Sequence, residues 1–438
     1  MASSKPKVAF HTLGCKVNQY ETKAIAGMFE EAGYEVVSET DWADVYVINT
    51  CTVTAVADKK SRQYIRRMKK VNPESIVAVT GCYAQIKPEE VAEIQGVDIV
   101  TGTNEKHTIL EYVREHMGGI HVLEYEELTD FMEMKAVSTE RTRAYIKVQE
   151  GCNRFCSYCV IPYARGPVRS RPHDFIISEA KALIAAGYKE IVLTGINTAL
   201  YEDGDWDISQ LIGAIDELEG DFRIRLSSLE PAVINAEYVK RLVPYRKLCH
   251  HLHMSAQSGS DSVLGAMNRP YDREGYMELV NTLKKFDPCY GISTDIIVGF
   301  PGERETDFED SFHLVEECGF CKTHIFKYSK RPMTKAAEMK GQVSPQIKDR
   351  RAKMLEISAK RAATNFFAIN LEAAKGGRIE RVLLEEIVEI AGERYAAGYT
   401  GNYIRTYIPV SQTGEEMNRF VSVSLVDFMR DGVMATVI

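Results

Sequence analysis

Residues 149–166 read QEGCNRFCSYCVIPYARG and bring Cys152, Cys156 and Cys159 into one short loop with C-x3-C-x2-C spacing. Cysteine thiolates are the usual ligands of iron–sulfur clusters. Three ligands leave one iron of a four-iron cluster open, and an open iron can chelate the amino and carboxylate groups of a methionine moiety. A zinc site would need a fourth Cys or His, and the closest histidine, His173, follows the loop. The spacing therefore favours a cluster over zinc or three unrelated cysteines.

Composition and cysteine usage set the class of protein. The chain has 438 residues, 45% of them hydrophobic, which suits a globular protein of two or three domains. Residues 1–7 read MASSKPK without the apolar segment of a signal peptide, and no apolar run approaches the length of a membrane helix. We therefore expect a cytoplasmic protein that does not enter membranes. Its ten cysteines would stay reduced there, so they indicate metal or redox chemistry rather than disulfides.

An N-terminal domain over residues 1–120 is predicted to hold a parallel sheet. The apolar runs expected to be its strands are Val8–Gly14, Val45–Thr50, Ile76–Gly81 and Val97–Gly102. Cys15, Cys51 and Cys82 come directly after the first three of these runs. All three should lie along the carboxyl edge of the sheet, where open α/β sheets place their ligands. The acidic, irregular residues 121–142 are predicted to form a linker.

Residues 143–375 are predicted to form an incomplete barrel of six β/α units, with its chemistry at the carboxyl ends of the strands. The runs expected to be strands are Ala144–Val148, Glu190–Gly195, Phe222–Ser227, His251–Ser255, Gly291–Val298 and Thr323–Tyr328. Ser344 and Pro345 are typical of a helix start, and the helical pattern continues to about Lys375. Residues 376–438 are rich in Val, Ile, Tyr and Thr and indicate a small all-β barrel.

Several longer motifs follow one another along the chain. They are HTLGCKVNQYET (11–22), INTC (48–51), TGCYAQ (80–85), GCNRFCSYCVIPYARGPVRSR (151–171), LTGIN (193–197), RLSSLEP (225–231), QSGS (257–260), MNRPY (267–271) and TDIIVGFPGE (294–303). Together they resemble the radical S-adenosylmethionine (SAM) methylthiotransferase family over nearly the whole chain. The resemblance implies an α/β fold: an N-terminal parallel α/β domain, a central partial (β/α)6 radical SAM barrel and a C-terminal RNA-binding barrel of the type called TRAM.

The resemblance assigns the cysteines to two four-iron clusters. The cysteines of the 149–166 loop would hold the cluster that cleaves SAM, and Cys15, Cys51 and Cys82 would hold an auxiliary cluster, again with one iron free. Taken singly, each of the latter three could be a buried small hydrophobe. The other cysteines match neither set, and we expect them to pack in the core: Cys249, Cys289, Cys318 and Cys321.

Candidate SAM contacts follow from the predicted strand ends and from the resemblance. They are Tyr158, Gly195, Asn197, Ser228, Glu230, Gln257, Ser258, Arg269, Ile297, Val298 and Gly299. Tyr158 precedes the last cysteine of the loop, as an aromatic does in the superfamily signature. Residues 297–303, IVGFPGE, resemble the superfamily's adenine-side motif, but a tight turn that needs glycine at positive φ explains them equally well.

The resemblance implies methylthiolation of C2 of a modified adenosine beside the anticodon of tRNA, with two molecules of SAM per product. One SAM would methylate a sulfur at the auxiliary cluster, and the other would be cleaved to a 5′-deoxyadenosyl radical. The reaction would need an electron donor such as a flavodoxin or ferredoxin system. The substrate partner would be the tRNA anticodon stem-loop, and we expect the enzyme to be a monomer.

Within the family, residues 12–22 (TLGCKVNQYET) and 193–197 (LTGIN) resemble the branch that acts on N6-threonylcarbamoyladenosine at tRNA position 37. The N6-isopentenyladenosine branch tends to have glutamine where this chain has Ile196, and the branch acting on a ribosomal-protein aspartate usually lacks PYARG (162–166). These two substrates remain alternatives, as does a non-enzymatic zinc-dependent RNA-binding protein. Residues 331–336 read RPMTKA where the family commonly has R-x-G-T-P-A, a departure that bears on the identity of the base.

Basic segments are candidate contacts for the RNA backbone. Residues 59–70, KKSRQYIRRMKK, carry seven positive charges on a predicted helix, and the candidates there are Lys59, Lys60, Arg62, Arg66 and Arg67. We call the segment that carries Cys152, Cys156 and Cys159 the cluster loop. A second candidate set follows its last cysteine: Arg165, Arg169 and Arg171. A solvated helix face is the ordinary alternative for such a run. The net charge of −8 does not decide between an RNA contact and a solvated helix face, because a net value hides local patches of charge.

Overall fold

The computed structural model of the protein describes residues 5–128, 131–134 and 142–438. The predicted linker, 121–142, therefore lies partly outside the described residues. Within it the structure places the end of a strand, residues 119–121, and a short 3-10 turn, residues 125–127.

The N-terminal domain is a parallel sheet in the order β2-β1-β3-β4-β5-β6. Its strands are β1 (Lys7–Thr12), β2 (Glu35–Val37), β3 (Val45–Thr50), β4 (Ile76–Gly81), β5 (Ile99–Thr101) and β6 (Gly119–His121), and its helices are α1 (Lys16–Glu31), α2 (Ala55–Val71), α3 (Cys82–Ile86), α4 (Pro88–Ala92) and α5 (Ile109–Arg114). Val45 and Val47 of β3 pack with α1 and α5, while Tyr46 and Ile48 pack with α2 on the other face. The predicted parallel sheet is confirmed. The sequence did not indicate β2 and β6, because each has three residues and little buried apolar surface.

The central strands bring three cysteines to one edge of this sheet. β1, β3 and β4 are neighbours and end at the same level. Cys15 caps α1, Cys51 directly follows β3, and Cys82 is the first residue of α3. Gly14 and Gly81 precede two of the cysteines at φ of 107° and 98°, a region that other residues rarely adopt. A Cβ on Gly81 would lie 2.5 Å from a carbonyl oxygen of β3, so glycine is what lets these strand ends approach.

The central domain is an incomplete barrel made of two parallel sheets, in the orders β13-β10-β7 and β14-β15-β16-β17. Its main strands are β7 (Arg143–Lys147), β10 (Glu190–Thr194), β13 (Arg223–Leu226), β15 (His251–Met254), β16 (Gly291–Val298) and β17 (Lys322–Lys327); the shorter ones are β8 (Gln149–Glu150), β9 (Arg169–Ser170), β11 (Glu202–Asp203), β12 (Trp206–Asp207) and β14 (Ser228–Leu229). A parallel bridge between Ile224 and Leu248 connects the two sheets. The six main strands are the six that the apolar runs predict, within one or two residues.

Helices cover the outside of this barrel. They are α7 (His173–Ala185), α8 (Ile208–Asp216), α9 (Ala236–Leu242), α10 (Asp261–Ala266), α11 (Arg273–Phe286), α12 (Glu305–Cys318) and α14 (Pro345–Lys375). Two short helices lie elsewhere: α6 (Ile161–Arg165) contacts α3 of the N-terminal domain, and α13 (Lys335–Glu338) lies beside the cysteine loop. The side chain of Ser344 accepts a hydrogen bond from the amide of Ile347, so the predicted start of α14 is confirmed. Among the described residues, no helix combines the length and the low charge that crossing a membrane requires.

The C-terminal domain is a closed barrel in the order β18-β19-β20-β22-β21. Its elements are β18 (Glu380–Ile390), β19 (Glu393–Tyr399), β20 (Arg405–Pro409), α15 (Val410–Thr413), β21 (Phe420–Met429) and β22 (Gly432–Val437). Arg223 and Arg225 of β13 donate to the carbonyls of Tyr399 (3.1 Å) and Gly401 (3.2 Å). The buried Glu190 pairs with both arginines and holds them in place. Their bonds attach the C-terminal barrel to the side of the central barrel.

Candidate functional site

A cavity of about 330 Å³ lies where the carboxyl ends of the barrel strands face the N-terminal sheet edge. Cys152, Cys156 and Cys159 line this cavity together, and Cys15 lines it from the N-terminal domain. The cavity is therefore bounded by members of both predicted cysteine sets. We call it the thiol cavity.

The backbone fixes the loop that carries the first set. The amide of Cys152 donates to the carbonyl of Gly166 (3.1 Å), and the amide of Cys159 donates to the carbonyl of Cys156 (2.9 Å). Gly151 has φ of 71°, and a Cβ there would fall 1.8 Å from a backbone carbonyl oxygen of the returning chain. The loop folds back on itself, and all three thiols reach the thiol cavity.

The spacing and burial of the thiols fit a multinuclear cluster. Burial, together with the neighbouring thiols of Cys156 and Cys152, raises the pKa of Cys159 to about 12. Adjacent thiolates therefore need a bound cation to offset their repulsion. Among the described residues, neither cysteine set has its sulfur atoms all within 4.8 Å of one another. Three cysteine thiols that reach one cavity from a single loop are a donor set that suits an iron–sulfur cluster.

Most of the residues predicted to contact SAM lie on the same cavity. Those that line it are Tyr158, Gly195, Asn197, Ser228, Glu230, Gln257 and Arg269. Ile297 lines an adjoining cavity of about 180 Å³, which Tyr158 and Gln257 also border. Gln257 has φ of 63°, a strained conformation of the kind found at functional sites.

Three predicted SAM residues lie behind the cavity wall instead. Ser258 is 2% exposed and lies 3.2 Å from the Ser311 hydroxyl, and Val298 belongs to the barrel core. The amide of Gly299 donates to the carboxylate of Glu303 (2.9 Å). With φ of 74°, Gly299 forms the tight turn that was the alternative interpretation of IVGFPGE. These three residues therefore do not line the thiol cavity with their side chains, and their contact with SAM stays a prediction.

Arg269 and Asn197 give the thiol cavity its polar character. The Arg269 guanidinium donates to Sγ of Cys156 (3.4 Å) and to the carbonyl of Ser255 (3.0 Å), and it pairs with Glu230 (2.6 Å). The Asn197 Oδ1 atom is buried without a hydrogen-bond partner among the described residues. A buried acceptor and an arginine beside three thiols suit a ligand that presents both an amino and a carboxylate group.

The second cysteine set lies at the sheet edge on the other side of the cavity. Cys51 and Cys82 are buried, whereas Cys15 is exposed to the cavity. Burial, followed by the charges of Cys82 and Cys15, raises the pKa of Cys51 to about 12. A Cβ on Gly14 would lie 3.0 Å from Sγ of Cys51, so the glycine leaves room for a ligand sulfur. All three cysteines therefore lie at the same sheet edge, and Cys15 alone of the three borders the thiol cavity.

Arg165 lies directly behind this second set. Its Nε donates to Sγ of Cys82 (3.2 Å), and its Nη1 pairs with Glu21 (2.6 Å) and Glu150 (3.1 Å). Two buried lysines pair with the same carboxylates: Lys106 and Lys147. Burial alone would raise the pKa of Glu21, but these three cations hold it well below its usual range. The network joins the N-terminal domain to the barrel.

The arginines that follow the cluster loop are structural, which corrects their expected RNA contact. Arg165, Arg171 and Arg169 are 0%, 1% and 7% exposed. Arg171 pairs with Glu133 (2.8 Å) and Glu179, and Arg169 donates to backbone carbonyls. Guanidinium groups that are buried with these partners do not reach a phosphate. The sequence positions of these arginines suggested an exposed basic patch, but in the folded protein their side chains are buried.

The basic helix α2 keeps the other candidate RNA contacts on the surface. Its exposed cations are the candidates Lys59, Lys60, Arg66 and Arg67, together with Lys70. Arg62 is instead partly buried and donates to Glu90 (3.2 Å) and to the Tyr83 hydroxyl (3.0 Å). Thr54, the cap of α2, borders the 180 Å³ cavity next to the thiol cavity. The exposed basic face therefore starts close to the cavity and leads away from it.

Arg331 is a residue of this site that the sequence reasoning missed. It is 3% exposed, and its Nη2 donates to Thr52 (2.7 Å) and Asp58 (2.7 Å), just after the second cysteine of the N-terminal set. In the same loop, the amide of Ala336 donates to the carbonyl of Ser157 (2.7 Å) in the cluster loop. The unusual RPMTKA loop thus ties both cysteine sets together. A single arginine in a loop carries no sequence signal for such a role.

The remaining cysteines lie away from both sets. Cys318 belongs to the barrel core and Cys321 to the core of the C-terminal barrel. Cys249 and Cys289 are each 3% exposed. Their burial supports the expectation that all four pack as small apolar groups.

Family comparisons match the two cysteine-bearing regions separately. Residues 7–102 match the Uncharacterized protein family UPF0004, and residues 146–315 match the Radical SAM superfamily. The first match contains Cys15, Cys51 and Cys82, and the second contains the cluster loop. Membership in the superfamily implies a four-iron cluster and SAM.

Individual relatives match over most of the chain. Threonylcarbamoyladenosine tRNA methylthiotransferase MtaB of Bacillus subtilis is 43% identical over 91% of this chain and 89% of its own. MtaB of Thermotoga maritima is 36% identical over 98% and 96%. The tRNA-2-methylthio-N(6)-dimethylallyladenosine synthase of Clostridium novyi is 38% identical over 78% of each chain.

Among solved structures, the radical S-adenosylmethionine methyltransferase TsrM of Kitasatospora setae superimposes with a TM-score of 0.58. It is 16% identical over 76% of this chain and 77% of its own, which shows a shared fold. The sequence relatives are much closer, and their matches extend through the described domains. On the strength of that identity and coverage, the chain belongs to the radical SAM methylthiotransferase family.

Proposed function

We propose that this enzyme transfers a methylthio group to C2 of N6-threonylcarbamoyladenosine at position 37 of tRNA, with two four-iron clusters and two molecules of SAM per product. The observation that carries the proposal is that Cys15 lines the same cavity as Cys152, Cys156 and Cys159. A sulfur source and a radical source would then face one substrate base. The relatives named as MtaB support the choice of base.

Each part of the thiol cavity has a definite task in this proposal. The clusters supply radical formation and a sulfur acceptor site when bound. Cys152, Cys156 and Cys159 hold the first, and Cys15, Cys51 and Cys82 hold the second. Arg269 and Asn197 orient the carboxylate and the amino group of SAM. The exposed cations of α2 hold the phosphates of the anticodon stem-loop, whose unpaired base can enter the cavity.

The proposal also covers the electron donor, the location and the oligomeric state of the enzyme. A flavodoxin or ferredoxin system would deliver electrons to the cluster next to SAM, and the enzyme would act in the cytoplasm as a monomer. A monomer suffices because one chain supplies both cysteine sets and the cations of α2.

The test is to express the chain in a bacterial strain that lacks its own threonylcarbamoyladenosine methylthiotransferase. Nucleoside mass spectrometry of the tRNA should then find 2-methylthio-N6-threonylcarbamoyladenosine, and a Cys152→Ala variant should yield none. Methylthio groups on isopentenyladenosine instead would assign the chain to the alternative substrate. Absence of both products, with the protein loaded with iron, would overturn the proposal.

A further inference from the structure

A second chamber opens from the thiol cavity into the interior of the barrel. Its volume is about 300 Å³, and it shares Cys15, Gly195, Ser228 and Asp295 with the thiol cavity. All three domains contribute to its wall: α1 of the N-terminal domain, the strands of the central barrel, and Tyr403 of the C-terminal barrel. A substituent on a base in the thiol cavity would therefore extend into this chamber.

Two buried polar groups in the chamber wall have no partner. The Ser227 hydroxyl and the Nδ1 atom of His251 make no hydrogen bond with any described residue, although the two side chains are 6% and 4% exposed. His251 is held by a bond from its Nε2 to Ser293 (2.9 Å) and by stacking on Tyr403 at 4.5 Å. Buried groups of this kind are costly unless a ligand satisfies them.

The chamber also has an excess of positive charge at its mouth. Lys16 borders it and has no carboxylate partner among the described residues. Arg225, another wall residue, is already paired with Glu190 and held by backbone carbonyls. Among the described residues of the chamber wall, Lys16 is therefore the lysine or arginine that no carboxylate pairs with.

One carboxylate, Asp295, also borders the chamber, and neighbouring side chains already engage it. It accepts a hydrogen bond from Ser255 (2.9 Å) and lies 3.2 Å from Nε2 of His253. His324, on the next strand, joins this pair, with a ring nitrogen within 4.8 Å of the ligand atoms of both. The wall residues that remain to bind a polar, anionic group are therefore Lys16, Ser227 and His251.

We propose that this chamber binds the threonyl part of N6-threonylcarbamoyladenosine, with Lys16 pairing with its carboxylate and Ser227 and His251 bonding its polar atoms. The inference rests on the proposed function and adds the residues that select the substrate. An apolar isopentenyl group would leave both buried polar groups unpaired and the ammonium without a counter-charge, which disfavours that substrate. The recognised chemistry is a carboxylate with neighbouring hydrogen-bonding groups.

The test compares anticodon stem-loops that differ only in the threonyl group. One carries the natural carboxylate, and the other carries the neutral threoninamide of the same shape. Fluorescence anisotropy with anaerobically reconstituted enzyme should show tighter binding of the acid by roughly ten- to a hundred-fold, the value of one charge-assisted contact. Lys16→Gln should lose this preference for the acid over the amide.

Lys240→Gln is the matched control, because Lys240 is exposed on α9 and pairs with Glu237. It should keep the preference of the native enzyme. The inference is overturned if the native enzyme binds the acid and the amide equally, or if Lys16→Gln still prefers the acid. Methylthiolation of the acid stem-loop is measured in parallel. If the stem-loop is methylthiolated but the enzyme does not prefer the acid over the amide, only the chamber proposal is wrong. If no stem-loop is methylthiolated, the proposed function is wrong.

Discussion

The Nε atom of Arg165 donates to Sγ of Cys82 across 3.2 Å, from the end of α6 in the central domain to the sheet edge of the N-terminal domain. Behind this contact, three cations face the two buried carboxylates of Glu21 and Glu150. One positive charge is therefore in excess among the described members of the network, and it lies beside a cysteine that would be a thiolate. Arg165 couples the geometry of the two cysteine sets.

Arg165→Met should destabilise the protein and empty the N-terminal cluster site. Removing one partner from a buried ionic network costs about 3–5 kcal/mol, because the remaining charges stay buried. Thermal unfolding and iron analysis of the anaerobically prepared variant measure both effects. Arg381→Met is the control, since Arg381 forms an exposed pair with Asp221. Native stability and native iron content in Arg165→Met would contradict this role.

Substitutions in the two cysteine sets should have different effects. Cys152→Ala should abolish formation of 5′-deoxyadenosine from SAM, because its thiol belongs to the SAM-side set. Cys51→Ala should retain that cleavage and lose only the methylthiolated product. Cys318→Ala, in the barrel core, should keep both activities. The separation of roles fails if Cys51→Ala also stops cleavage while the SAM-side cluster is still present by electron paramagnetic resonance.

Arg269→Gln should weaken SAM binding. The variant loses the charge that pairs with Glu230 and the donor to Cys156, so the KM for SAM should rise roughly ten- to a hundred-fold. Steady-state cleavage at varied SAM gives the value. Arg273→Gln, whose arginine pairs with Glu317 outside the cavity, should behave like the native enzyme. An unchanged KM in Arg269→Gln would show that Arg269 does not hold the cofactor.

Acid should loosen the contact between the central barrel and the start of the C-terminal barrel. Burial alone would raise the pKa of Asp287, but hydrogen bonds from His250 and Arg378 lower it below its usual range. A carboxyl with a lowered folded-state pKa stabilises the fold above its unfolded pKa of about 3.9 and loses that contribution as the pH falls further.

Asp287→Asn should therefore lower the urea midpoint at pH 7, by the equivalent of about 1–3 kcal/mol. The difference from the native protein should shrink below about pH 4, because the carboxyl of the unfolded chain is protonated there while the folded-state carboxyl, with its lowered pKa, stays ionised. Urea titrations under reducing conditions at both pH values provide the comparison. Equal differences at the two pH values would exclude this ionisation as the cause.

The strands could be predicted from the sequence because their apolar runs are local signals. Cys51 and Cys82 follow such runs directly, so their meeting at one sheet edge followed from parallel topology. Short edge strands such as 35–37 gave no signal, since three half-exposed residues have no clear periodicity.

The long-range polar contacts could not be predicted. Glu21 and Arg165 are 144 residues apart in the chain and look like surface charges locally, yet both are buried against each other. The same holds for Arg331 and Asp58, which join the barrel to α2. Which charged side chains are exposed depends on how domains pack, and that information is spread over the whole chain.

Iron and acid-labile sulfide analysis of the anaerobically purified enzyme tests the two-cluster site most directly. We expect about eight irons per chain, and about four in each of Cys156→Ala and Cys82→Ala, because each variant should lose a different cluster. The double variant should bind none. If the native enzyme holds about four irons, and only one of the two single variants loses them, the enzyme does not have two clusters. Zinc in place of iron would also contradict the two-cluster site.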